Sequence, residues 1–387
     1  MRDLDPTDLD RQIWEDELAD FVPQRVFDVH THIYRWAFDL DPNRLSGPFA
    51  GSIGAYFPEV TWELADEVDA TLFPGRQIER LSFPFPFPNP CDFEGSNSYV
   101  AAEVAKGGGS SRGLMLVHPG MSAAAVEAEI RRTGLIGLKP YRFYAADPVQ
   151  CRITDMLPEQ QIAVADRLGL IIMMHLGKRD AIADPENIED MVRLSEKYPG
   201  AKWVLAHCAR SYSAWAIETA AARLRGLPNV WYDTSTVCDS DALDALYTGV
   251  GVERVMYGSD DMIGPMRGKY ITFGRAWAYL SPTNHSMGLS HCDGRMTYIR
   301  YEQLRAMKRG ARQIGLSTAQ RDALFYGTAR ELVDLVSAPL PEGLLDSHIE
   351  VCGEGLDGAL GGLDFEPALK HDDGAGFSVV SGPSPEA

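Results

Sequence analysis

The chain lacks several features that would narrow its function. No apolar run is long enough to cross a bilayer, which needs roughly 20 residues. The first twenty residues, MRDLDPTDLDRQIWEDELAD, are acidic and contain no apolar core of a secretory signal. A cytoplasmic protein with no membrane partner is therefore expected. Basic charge is scarce: 36 Lys and Arg stand against 55 Asp and Glu, a net charge of −19. That balance argues against nucleic acid, whose phosphates require a basic surface. Much of the excess is local, since from Pro341 onward ten acidic residues face Lys370 alone. None of the six cysteines (91, 151, 208, 238, 292, 352) has CxxC or zinc-ribbon spacing, so reduced, structural thiols are expected. No GxGxxG follows the first strand, which weakens a dinucleotide-binding reading.

What remains is 45% apolar and 24% charged, ordinary for a globular protein. Strand-like runs recur at VFDVH (26–30), IERLSFPF (78–85), RGLMLVH (112–118), LIGLKPY (135–141), LIIMMHL (170–176), AKWVLAH (201–207), NVWYDTS (229–235) and RVMYGSD (254–260). Helical patterns separate most of them, as in SAAAVEAEIRR (122–132), IEDMVRLSEKY (188–198) and SAWAIETAAARLRG (213–226). Repeated βα alternation implies parallel strands, and eight units predict a (β/α)8 TIM barrel, with an open doubly wound sheet as the alternative. Residues 1–25 read as an N-terminal extension and 26–338 as the barrel domain. Residues 36–77 read as an insertion after strand one, and 261–298 as a long lid-like loop after strand eight. The stretch 339–387 is a Gly-rich acidic tail, partly disordered by composition.

The strand ends carry the chemistry. His30 and His32 alternate on one strand and should project together. Strand four ends in Lys139, strand five in His175, strand six in His207 and strand eight in Asp260. Imidazoles and a carboxylate suit a borderline divalent cation, and a barrel places strand C-termini on one rim. Each residue also has a plainer reading: buried hydrogen-bonded histidines, a lysine reaching solvent, or an aspartate capping a helix.

The ordered set DVHTH, HLG, AHCAR and GSD resembles the amidohydrolase superfamily. More narrowly it resembles the amidohydrolase-related branch that includes aminocarboxymuconate-semialdehyde decarboxylase, resorcylate decarboxylases and related hydrolases and hydratases. The resemblance spans roughly residues 26–336. It implies His30, His32, His175 and Asp260 as metal ligands, with His207 and Asp260 in catalytic roles, His207 as the acid/base. The run GSDDM departs from the family habit of an aromatic and a proline after the aspartate. Asp260 is taken as the functional residue, with Asp261 pointing away and capping the next segment. One Zn2+ is the default cofactor, Mn2+ or Fe2+ would accept the same donors, and two metals bridged by a carboxylated Lys139 is the less favoured alternative.

Arg35, Arg142, Arg210 and Arg267 follow strand ends or the loops after them. With Lys139 they suggest recognition of a small-molecule carboxylate, cyclic or aromatic, against Trp36, Tyr141 or Phe143. Lys139, Arg142, Arg210 and Arg267 are the candidate substrate-binding residues. The function expected is hydrolysis of an amide, lactone or ester, with non-oxidative decarboxylation or hydration as the alternative. His118 is expected to pack, while His285 or His291 could reach the site through the lid. The long helices and the insertion offer surface for a homodimer.

Overall fold

A computed structural model describes residues 4–42 and 57–337. Eight parallel strands are present where the apolar runs predict them: β1 (Arg25–His32), β2 (Gln77–Phe83), β3 (Arg112–Gly113, continued by Met115–Leu116), β4 (Gly137–Lys139), β5 (Ile171–Met174), β6 (Lys202–Leu205), β7 (Val230–Asp233) and β8 (Val255–Met256). Each pairs in parallel with its successor. The ring closes where Val29 N–H donates to Tyr257 O at 3.1 Å, Asp260 N–H to His30 O at 2.8 Å and His32 N–H to Asp261 O at 2.7 Å. The fold is a (β/α)8 barrel.

The strands are apolar on both faces because both are covered. Phe27, Val29, Leu81, Phe83, Leu114, Ile171, Met173, Val204 and Met256 form the barrel interior, closed below by Leu332 and Val333. The alternate residues Ile172, Met174, Trp203 and Leu205 face the helical layer. Burying each such side chain is worth ~1.5–3 kcal/mol.

The helices α1 (Trp62–Leu72), α2 (Phe93–Ala105), α3 (Ala123–Thr133), α4 (Glu159–Leu168), α5 (Pro185–Lys197), α6 (Ala214–Leu224) and α7 (Ser240–Leu246) form the crossovers. Thr61, Asp92, Ser122, Asp184 and Asp239 accept N-terminal amides of five of these helices, so local sequence sets their starts. Helices α8 (Ile299–Gln313) and α9 (Thr328–Ser337) follow β8. No helix among the described residues is long and apolar enough to cross a membrane. Cys91, Cys151, Cys208, Cys238 and Cys292 are free thiols.

The structure refines two expectations. The insertion predicted over 36–77 contains the barrel's own first crossover helix, α1, so the added chain ends near Thr61. Beside it, Tyr34–Arg35 pairs antiparallel with Glu59–Val60. The predicted lid-like loop contains an antiparallel hairpin, Lys269–Phe273 against Ala276–Leu280. The expected tail at 339–387 lies outside the described residues.

Candidate metal centre

Strand β1 solves a parity problem. With a strict two-residue alternation, His30 and His32 would share the face of Asp28, opposite to interior Phe27 and Val29. The register against β2 slips between Asp28, which pairs with Arg80, and Thr31, which pairs with Ser82. This bulge returns His30 and His32 to the interior side, against Phe83 at ring-centroid distances of 4.9 and 4.8 Å. Asp28 stays on the outer side, where its Oδ1 accepts the amides of His30 (3.1 Å) and Ser259 (2.9 Å).

The end of β6 is shaped by strain. His207, Cys208, Ala209 and Arg210 are four consecutive non-glycine residues with φ of 57°, 53°, 59° and 62°, a left-handed turn. Each costs ~1–2 kcal/mol relative to right-handed backbone. The turn is held from outside: Asp233 Oδ1 accepts the His207 amide at 2.8 Å, and Arg210 Nη1 donates to the carbonyls of Leu176, Gly177 and Lys178 at 3.0, 3.1 and 2.6 Å. The outcome is that His207 and Arg210 leave one short turn in fixed directions.

All five groups selected from the sequence meet at this rim. Asp260 Oδ1 lies 3.3 Å from Nε2 of His30 and 3.3 Å from Nε2 of His32. The His207 ring is centred 4.9 Å from His30 and 5.2 Å from His175. Among the described residues, His30, His207 and Asp260 form the cluster whose donor atoms lie within 4.8 Å of one another. The tightest trio thus includes His207, the expected acid/base, while His32 and His175 flank it.

The donor chemistry fits a divalent cation. Burial pulls His32 and His207 down to about 4 and His175 well below the usual imidazole range, so all three are neutral, with a lone pair available. Among the described residues, the buried Nδ1 of His175 has no hydrogen-bond partner. For His30 burial acts downward too, but the Asp233 and Asp260 carboxylates outweigh it and raise the group. Burial disfavours the Asp260 carboxylate, yet His30 and His32 hold it well below the usual range, so it is an anion. Neutral imidazoles around a buried carboxylate are a ready set of ligands.

Two residues essential to this geometry escape the sequence reading. Asp233, at the end of β7, bonds Nδ1 of His30 at 2.8 Å and the amide of His207 at 2.8 Å. Ser235 Oγ lies 2.9 Å from Nδ1 of His207 and 3.2 Å from Nδ1 of His30. The signal was present in YDTS: a carboxylate ending an apolar strand, as at β8. Asp261 does point away, but it is not a cap; its carboxylate pairs with buried Arg300, which also holds Asp69 at 2.7 Å.

Among the expected substrate-binding residues, Lys139 and Arg210 sit at the site. Lys139 is buried, its ammonium 4.5 Å from the Phe83 ring centre and 6.0 Å from that of Tyr141 and without a hydrogen bond or ion pair among the described residues. Burial lowers it to about 8. Arg210 has no carboxylate partner among the described residues, and burial lowers it, reinforced by Arg142. Arg142 donates to Pro148 O at 3.0 Å and covers Phe143. Tyr141 packs on His175 at 4.7 Å, whereas Trp36 turns onto Phe87.

Arg267 is a correction: its guanidinium is bound to Asp10 at 2.8 Å and lies over Tyr298, so it braces the N-terminal segment. Arg35 is likewise bound, to Glu59. His118 packs on Phe93, while the rings of His285 and His291 make no described contact with the site, and His291 is exposed. On the far side of His207, Tyr212 stacks at 5.9 Å, and Trp277 of the hairpin stacks on Tyr212 at 4.3 Å.

Comparison with known proteins identifies the family. The amidohydrolase family model matches residues 89–335. No curated protein matches the sequence. Similar solved structures include an amidohydrolase from Burkholderia multivorans, with bound HEPES, at 15% identity and TM-score 0.51, covering 80% of this chain and 99% of that one. Another is a protein described as a candidate 2-pyrone-4,6-dicarboxylic acid hydrolase from Pseudomonas putida, at 17% identity and TM-score 0.50, covering 81% and 98%. A third is 5-carboxyvanillate decarboxylase from Novosphingobium aromaticivorans, complexed with manganese and 4-hydroxy-3-methoxy-5-nitrobenzoic acid, at 13% identity and TM-score 0.51, covering 86% and 99%. At these identities the likeness concerns the fold; the family match, spanning more than half the chain, places this protein among the amidohydrolases, metal-dependent enzymes.

Proposed function

We propose that this amidohydrolase is a non-oxidative decarboxylase of a small cyclic or aromatic carboxylic acid. The observation that carries the reading is Lys139: a buried ammonium beside Asp260, His207 and aromatic faces, with no carboxylate of its own among the described residues. A buried cation without a partner is costly and is offset when a substrate carboxylate arrives. The likeness to 5-carboxyvanillate decarboxylase supports this choice over the hydrolysis expected from sequence.

His30, His32, His175 and Asp260 would hold the divalent ion, with His207 beside them. When bound, such an ion supplies Lewis acidity toward a carboxylate or carbonyl oxygen. Zinc is the default for these donors, and manganese is the ion named for the decarboxylase. Lys139 and Arg210 bind and orient the substrate carboxylate, and Tyr141 faces its ring. Decarboxylation breaks the bond between the ring carbon and the carboxyl carbon. CO2 leaves, the electron pair stays on the ring carbon, and that carbon takes one proton. That proton is taken up from solvent, and the Asp260 carboxylate and the neutral His207 would relay it to the carbon. Burial of His30, His32, His207, Asp260 and Lys139 shields the step from bulk water, while His175 is half-buried.

Hydrolysis of a carboxylated lactone is the second reading, favoured by the likeness to the candidate 2-pyrone-4,6-dicarboxylic acid hydrolase. The test is to load purified protein with Zn2+ or Mn2+, supply hydroxylated benzoic acids and carboxylated lactones, and measure released CO2 and released acid in parallel. CO2 with loss of the substrate carboxyl supports the proposal. Acid without CO2 moves the protein to the second reading, and metal-loaded protein inert to both panels sinks the two together.

A further inference from the structure

The hairpin Lys269–Leu280 stands over the site without joining the barrel sheet. Its Trp277 lies on Tyr212, which lies on His207, and Tyr270 packs 5.1 Å from Tyr212. Other ties include Thr272 to Asp239 at 2.5 Å, Lys269 to Glu302 at 3.1 Å, Arg275 over Trp215, and Tyr279 Oη donating to Arg267 O at 2.8 Å. Its outer side is open, with Phe273 59% exposed.

The two ends of this excursion come together at one carboxylate. Arg267, just before the hairpin, donates to Asp10 Oδ2 at 2.8 Å. Thr297, just before α8, donates to Asp10 Oδ1 at 2.6 Å. Between these ends, Gly268 N–H donates to Thr297 O at 3.0 Å, and Arg267 and Tyr298 form an antiparallel bridge. Asp10 is fully buried, and its second oxygen also accepts from the backbone and hydroxyl of Thr7 at 2.7 and 2.6 Å. Leu4 O and Asp5 O accept from Tyr298 and Arg267 at 2.7 and 3.1 Å. An N-terminal segment that adds nothing to the barrel sheet therefore fastens the base of the element covering the site.

We propose that the N-terminal segment is a clasp for this hairpin and that Asp10 is its positioning residue. By fixing both ends of the excursion at one point, Asp10 sets where Tyr270 and Trp277 meet Tyr212, and so sets the wall on that side of the site. A buried, charge-assisted junction is suited to this task because neither end can slide without leaving a buried carboxylate short of donors. The proposal rests on the fold and the clasp geometry, whatever reaction the site performs.

The test is hydrogen–deuterium exchange on the full chain. In Asp10→Asn and in Thr297→Val, amides of residues 269–280 should exchange at least about tenfold faster, while those of 171–174 and 202–205 keep the parent rate. Thr297→Ser, which retains the hydroxyl, should restore slow exchange. Should Asp10→Asn fail to fold, the Thr297 pair decides. Unchanged exchange over 269–280 in a folded variant overturns the proposal. So does an equal acceleration in the hairpin and the barrel strands, which would mean that Asp10 contributes only general stability.

Discussion

Asp233 and His30, 203 positions apart, share a 2.8 Å hydrogen bond at the barrel rim. The same carboxylate holds the His207 amide, so one residue on β7 fixes imidazoles arriving from β1 and β6. Removing its charge should act on the metal before anything else. Asp233→Asn should bind Zn2+ or Mn2+ about 10–100-fold more weakly, as read by competition with a chromogenic chelator. Parent-like affinity in the variant would mean that this bond does not orient His30.

Lys139 should be separable from the metal. Lys139→Gln removes the buried charge and leaves the imidazoles in place. A lost charge-assisted bond is worth ~1.5–3 kcal/mol, so KM for the carboxylate substrate should rise about 10–100-fold. Metal content should stay at the parent level by elemental analysis. An unchanged KM removes Lys139 from substrate binding.

The left-handed turn gives a stability test. Ala209 is buried with φ of 59°. Ala209→Gly relieves ~1 kcal/mol of backbone strain and forfeits a buried methyl worth about 0.8 kcal/mol, so the two nearly cancel. Its unfolding free energy in urea should lie within ~1 kcal/mol of the parent. Ala209→Val, adding bulk and β-branching at the same backbone, should lose more than about 2 kcal/mol. Equal effects from the two would show that the turn relaxes freely.

The buried network at Asp69 should govern acid stability. Burial disfavours this carboxylate, but Arg80 and Arg300 prevail and hold its pKa below the usual value. Its stabilising effect is therefore full above the unfolded-state value, about 4, and is lost as pH falls through the lower folded value. Asp69→Asn leaves Arg80 and Arg300 short of a counter-charge and should cost ~3–5 kcal/mol at pH 7. The gap from the parent should narrow below about pH 4. A gap independent of pH from 7 to 3 would mean that the Asp69 charge contributes nothing.

The sequence by itself determined the barrel and most of its rim. Eight apolar runs separated by amphipathic helices leave little choice of fold. His30, His32, His175, His207 and Asp260 are legible because an ionisable group ending an apolar strand has few packing explanations. Local capping residues such as Ser122 and Asp184 are legible for the same reason, since they act within one turn of their own helix.

Only the tertiary structure decided how those groups are aimed. The bulge in β1 exists because Phe27, Val29 and two histidines must all face inward, which no strict alternation permits. The strained turn at 207–210 is held by Asp233 and by carbonyls of the β5 loop, partners tens of residues away. Arg267 faces Asp10 rather than substrate because the chain folds back 257 positions to meet it. Period and propensity are properties of neighbours along the chain, whereas orientation at the site is fixed by bonds between residues that become neighbours only when the barrel closes.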